Sequence, residues 1–228
     1  MIGLMACLTS GTFGQAAFQE MVGSAFGSDQ QLVNGIQYSN HYGRFEGHPY
    51  FTDGHFHEGS LLIDRKLYTG VRMRYNLYSQ RPEIEYRTVD GHLNQFMAVP
   101  ERISWFQLRG TEFWRLELEN SPPAYYQVVA LMGDTCYVSW MKQTGSSTGS
   151  ISGYRFNSAE VHCTLKMGSV TVQFHNPKTL IKSFPALKRR TLKGLMKALD
   201  FPLRDPAPAR IEDFVRKLIQ MYREEALP

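Results

Sequence analysis

The stretch VHCTLKMGSVTVQF, running from Val161 to Phe174, decides the fold class. In its first half Val161, Cys163, Leu165 and Met167 alternate with His162, Thr164 and Lys166. In its second half Val170, Val172 and Phe174 alternate with Thr171 and Gln173. A period of two sends one set of side chains to a buried face and the other to the opposite face, which is the pattern of a strand. Gly168-Ser169 separates the two runs, and a Gly-first two-residue loop suits a type II′ hairpin turn.

The same alternation extends back to about residue 46. Ser60 to Ile63 and Leu67 to Tyr78 flank Asp64-Arg65-Lys66. Ile103 to Leu108 and Phe113 to Leu118 are joined by Arg109-Gly110-Thr111-Glu112. Tyr125 to Met132 and Thr135 to Met141 surround Gly133-Asp134. Each is a predicted hairpin. Ile84 and Tyr86 alternate with Glu83 and Glu85, which reads as a strand with a solvated acidic face. Gln143 to Gly153 is rich in Ser, Gly and Thr and predicts a flexible loop. Residues 19–46 predict irregular chain with one short strand or turn.

Beyond Asn176-Pro177 the period changes. Leu192, Leu195, Met196 and Leu199, then Ile211, Phe214, Val215, Leu218, Ile219 and Tyr222, recur at helical spacing. Pro177, Pro185 and Pro208 stand where first-turn prolines belong. The expected fold is therefore mainly β: antiparallel, hairpin-rich, sandwich- or barrel-like, with two or three C-terminal α-helices. The expected boundaries are 1–18 for a signal peptide, 19–176 for the β domain and 177–228 for a helical segment packed on it.

The opening eighteen residues, Met1 to Phe18, carry no charged side chain, although they also lack the Lys or Arg that usually begins a signal peptide. They read as a secretory leader, with small residues at Gly14 and Ala16 suiting cleavage. The run is shorter than the roughly 20 apolar residues that cross a bilayer. Leu4-Met5-Ala6-Cys7 also fits the lipoprotein pattern that would acylate Cys7. The expected location is thus secreted or periplasmic, extending to outer-membrane association, with no membrane span. Outside the leader two cysteines remain, Cys136 and Cys163; in an exported chain they are either a disulfide or two buried thiols.

Four constellations are candidates for chemistry or binding. His41, His48, His55 and His57 crowd together, and on a strand His55 and His57 would share a face as metal ligands could. Exposed polar strand residues next to a Gly/Tyr-rich loop explain them more simply. Gly145-Ser146-Ser147-Thr148-Gly149 matches a hydrolase nucleophile pattern, but no helix pattern follows it, as that chemistry requires. Tyr42, Tyr50, Phe51, Trp105, Phe106, Trp114, Tyr125 and Tyr126 are a sugar-stacking platform or, more simply, core. Between Val161 and Leu199 there are eight Lys or Arg and no Asp or Glu. Within that run Lys188, Arg189, Arg190, Lys193 and Lys197 are candidate anion-binding residues. For an exported protein the matching partners are an anionic glycan, lipopolysaccharide or an envelope protein, and nucleic acid is not expected.

Gly47-His48-Pro49-Tyr50, the run from Tyr68 to Tyr78 and the run from Tyr125 to Gly133, followed by the Leu/Lys-rich tail, resemble segments of uncharacterised exported β-rich proteins of the Bacteroidetes type. The resemblance implies a β domain and an exported location; it supplies no catalytic residue and no cofactor. The function expected from the sequence is a non-enzymatic binding or structural interaction module of the envelope. The alternatives are an envelope hydrolase or metalloenzyme using the His55/His57 region, and an assembly or folding factor for outer-membrane proteins.

Overall fold

The computed structural model describes residues 36–37, 42–87, 91–119, 121–148, 153–184, 189–198 and 207–226. The signal-peptide reading of residues 1–18, together with Cys7, His41, Pro185 and Lys188, lies outside them.

In chain order the elements are β1 (Ile36–Gln37), β2 (His57–Ile63), β3 (Lys66–Asn76), β4 (Arg81–Arg87), β5 (Leu93–Met97), β6 (Ile103–Leu108), β7 (Thr111–Leu116), β8 (Ala124–Leu131), β9 (Asp134–Met141), β10 (Thr144–Ser146), β11 (Tyr154–Phe156), β12 (Glu160–Met167) and β13 (Val170–Phe174). The helices α1 (Pro177–Ser183), α2 (Arg189–Ala198) and α3 (Pro208–Ala226) follow. The fold is mainly β, as the alternation predicts, with the helices near the C-terminus. One antiparallel sheet has the order β1-β5-β4-β3-β2-β6-β7-β8-β9-β12-β13, and it does not close into a barrel.

The hairpin turns explain where sequence boundaries slipped. Asp64 and Arg65, Arg109 and Gly110, and Met132 and Gly133 all have positive φ at both positions. Two consecutive left-handed residues make a type I′ turn, whose twist matches that of its strands. The connections are therefore two residues long, and Lys66, Thr111 and Asp134 begin strands instead of lying in loops. Gly168 has φ +57 and Ser169 does not share it, as a type II′ turn requires. Within the Ser/Gly/Thr tract, expected as a flexible loop, Thr144–Ser146 forms β10 and pairs with β11 in a separate two-stranded ladder.

The sheet curls strongly. Tyr75 on β3 packs its ring 5.9 Å from that of Tyr125 on β8, four strands along the order. Four steps across a flat sheet would span about 19 Å. Leu77, just after β3, accepts from the backbone N–H of Lys142 at the end of β9 (3.3 Å), and Gln80 donates its side-chain N–H to the carbonyl of Trp140 (2.9 Å). On the inner face Phe51, Tyr75, Phe106, Phe113 and Tyr125 fill the β2–β8 half with ring contacts near 5 Å. Such aromatic pairs add about 0.5–1.5 kcal/mol each beyond their buried area.

The helices fill the other half. Leu180, Leu192, Ile211, Phe214, Val215, Leu218 and Ile219 are buried in the same core as the sheet. α1 begins with a reciprocal cap in which the Asn176 side chain accepts from the Thr179 N–H and Thr179 Oγ1 accepts from the Asn176 N–H. α3 is fixed by Arg223, which donates to both carboxylate oxygens of the fully buried Asp134 at 2.8 and 2.7 Å.

Two expectations are corrected. Glu83 and Glu85, expected on a solvated face, are buried. Segment 48–56 folds over that side of the sheet, and Arg74 and Arg72 donate to the two carboxylates at 2.8 and 2.7 Å. Cys136 and Cys163 are both free and buried, so the disulfide alternative does not hold. Cys136 stands opposite Leu165 and Cys163 opposite Val138, which makes the cysteines diagonal neighbours on β9 and β12. Burial, reinforced by the Cys163 thiol, pushes the Cys136 thiol well above its ordinary pKa and leaves it unreactive.

Candidate functional site: a cavity on the inner face

Between the curled sheet and the first turn of α3 lies a cavity of about 700 Å³. That size suits a small organic molecule. Its walls come from Tyr50 to Thr52, Leu77 after β3, the Arg109-Gly110 turn with Thr111, β8–β9 with Lys142, Ala159 before β12, and Ala207 to Ala209 with Glu212. Gly110, Ala159, Ala207 and Ala209 contribute little side-chain volume, so the space between the larger walls stays open.

The polar groups arise from breaks in the strand alternation. On β8 the inner-face positions are Tyr125, Gln127 and Val129, all buried, and Gln127 is the polar exception. It is 5% exposed, and its Oε1 accepts from the indole N–H of Trp140 at 3.0 Å. An indole nitrogen only donates, which fixes the amide orientation and turns the Gln127 NH₂ group away from Trp140. That NH₂ has no hydrogen-bond partner among the described residues, and neither has the hydroxyl of Thr111, which is 7% exposed. Both groups line the cavity and face its open volume. Lys142, at the end of β9, donates from Nζ to the His48 carbonyl at 3.1 Å. Trp140 stands edge-on to Phe51 at 5.2 Å and forms the apolar wall with Leu77.

A charged cluster stands at the rim. Asp53 Oδ1 lies 2.7 Å from His57 Nε2, and Arg109 Nη1 donates to Asp53 Oδ2 at 3.1 Å. Partial burial opposes ionisation of Asp53, but the hydrogen bonds from His57 and from the His55 backbone N–H, with the charge of Arg109, hold its carboxyl below the ordinary value. Because Nε2 donates to Asp53, its 3.2 Å approach to Arg109 Nη1 brings two donors together and adds no bond. Such a pair could act as a general base. No hydroxyl or thiol is hydrogen-bonded to His57 among the described residues.

The residues singled out in the sequence are dispersed. His57 opens β2, whereas His55 precedes the strand in a bend, and only His57 enters the rim cluster. Among the described residues no three His, Cys, Asp or Glu side chains form a group able to hold a metal ion. Ser147 donates to Glu46 at 2.6 Å. Arg190, Lys193 and Lys197 are exposed on α2, opposite the buried Leu192, Leu195 and Met196; the side chain of Arg189 lies outside the described residues. Of the aromatic set, Phe51, Phe106 and Tyr125 belong to the core, and Trp114 is exposed on the outer face beside Trp105. No helix among the described residues is long and apolar enough to cross a membrane.

Gln127, Thr111, Lys142 and Arg109 escaped the sequence reading. The available signal was Gln127, a polar residue at an inward position of an otherwise apolar alternation. Comparison with protein-family models, with curated proteins and with solved structures found no match.

Proposed function

We propose that this protein is a non-enzymatic binding module of the cell envelope, holding a small amphipathic molecule in the inner cavity. The observation that carries the proposal is the Gln127 amide: buried, oriented by Trp140, and left with two unpaired N–H donors beside an open volume. Gln127 and Thr111 both open onto the cavity, so a ligand acceptor placed there gains a hydrogen bond worth about 0.5–1.5 kcal/mol net. The body of the ligand packs on Trp140 and Phe51, and its acceptor meets Gln127 and Thr111. The exposed cations of α2 support an additional attraction for anionic envelope components such as glycans or lipopolysaccharide.

Support for the exported location comes from the uncharged opening segment and from the resemblance to exported β-rich proteins. N-terminal sequencing of protein from its native host should find a start after Gly14 or Ala16. A Met1 start on protein recovered with cytosolic material would contradict export.

The cavity is tested with 1-anilinonaphthalene-8-sulfonate, an aromatic probe bearing an anionic acceptor. The unaltered chain should bind it saturably. Ala209→Trp, at an exposed position that lines the cavity, should abolish binding with the circular dichroism spectrum unchanged. Gln127→Leu should weaken binding about tenfold, the equivalent of one hydrogen bond. Equal affinity in the unaltered chain and both variants would place the probe elsewhere and remove the proposal.

A further inference from the structure

On the far side of β12 from the core, two histidines stand against each other. Cys163 pairs with Phe174 at the last step of the β12–β13 ladder, so His162 and His175 are the next opposed positions. Their rings stack with centroids 4.9 Å apart and 18° between planes. Glu160 stands two residues before His162 on the same strand face, with its carboxylate 3.9 Å from His162 Nε2. Both imidazoles line a second recess of about 620 Å³, together with Tyr126, Ser139, Thr164 and Gln173.

We propose that His162 and His175 form a two-histidine site for a divalent transition-metal ion, Cu²⁺ binding most tightly. Directly opposed residues on antiparallel strands hold their Cβ atoms about 4.5–5.5 Å apart, a span that two imidazoles bridge through one ion at ordinary metal–nitrogen distances of about 2.0–2.1 Å. Both side chains reach solvent, so rotation of either ring to converge on the ion meets little obstruction. Imidazole nitrogens suit copper, nickel and zinc, and the intrinsic order places Cu²⁺ first. Water completes the coordination, and the Glu160 carboxylate supplies opposite charge nearby.

The ion would tie β12, next to the sheet edge, to the residue that leads into α1. The site is independent of the inner cavity, and neither proposal depends on the other.

The experiment is titration of the tag-free full chain with CuCl₂, followed by calorimetry, electron paramagnetic resonance and thermal unfolding. One saturable ion per chain, a spectrum showing imidazole nitrogen ligation and a raised melting temperature are the expected results. His162→Gln and His175→Gln should each weaken binding by about tenfold or more. The double variant His55→Gln/His57→Gln should bind as the unaltered chain does. Absence of a saturable site, survival of binding in both single variants, or loss of binding with His55 and His57 would overturn the proposal.

Discussion

Truncating Arg74 to alanine should destabilise this protein by about 3–5 kcal/mol, the cost of leaving a buried charge without its partner. Arg74 donates from Nε to Glu83 Oε2 at 2.8 Å, and Glu83 has no solvent-exposed surface. The guanidinium also lies over two rings, 3.8 Å from the centroid of Tyr50 and 4.2 Å from that of Phe56, and donates to the Gly54 carbonyl at 3.0 Å. One side chain thus neutralises a buried carboxylate and tethers segment 50–56. Asn76 Nδ2 donates to the same carboxylate at 3.0 Å, and that bond alone does not replace a charge. Urea unfolding measures the loss. The double variant Arg74→Met/Glu83→Leu should recover most of it, because replacing a buried pair by apolar side chains is often close to neutral. Tyr50, Phe51 and Thr52 also wall the cavity, so Arg74→Ala should weaken probe binding under conditions where the protein remains folded.

Gly59→Ala should cost about 3 kcal/mol or more, the upper range for forcing atoms into a filled site. A Cβ at Gly59 would lie 2.4 Å from the carbonyl oxygen of Gln107 and 2.9 Å from Met73 Sδ. Met73 is fully buried, and Gln107 belongs to the backbone of β6, so relief requires β2 and β6 to separate. The β2–β3 register also shifts between Gly59 and Leu61, where the curl of the sheet needs an irregularity. Gly70→Ala is the informative contrast. Nothing lies within 4 Å of its Cβ position, and only its φ of +66° opposes the change. That cost should be about 1–2 kcal/mol. Equal losses from the two substitutions, measured by denaturant unfolding, would show that packing at the β2–β6 seam is not the limiting constraint.

The strands were legible because period-two alternation survives in every long hairpin, and the helices because the period changes after Asn176. The details that escaped share a physical reason: alternation assigns a residue to a face but does not say what covers that face. Glu83 and Glu85 were placed on one face correctly, yet segment 48–56, which seals it, has no period to read. Cys136 and Cys163 were both placed inward, while their diagonal register is fixed by turn lengths. Those lengths slipped because Arg65, Arg109 and Met132 adopt left-handed backbone without being glycine or asparagine. The cavity was hidden because its walls are brought together by sheet curl, although Gln127 already broke the apolar pattern of β8.

The central claim is that a ligand enters the inner cavity against Trp140. The chain has three tryptophans, and the other two, Trp105 and Trp114, face outward as neighbours on β6 and β7. Fluorine nuclear magnetic resonance of protein labelled with 5-fluorotryptophan separates the two faces in one titration with 1-anilinonaphthalene-8-sulfonate. The resonance of Trp140 should shift to saturation while those of Trp105 and Trp114 stay in place. A shift confined to Trp105 and Trp114, with Trp140 unmoved, would contradict the cavity as the binding site.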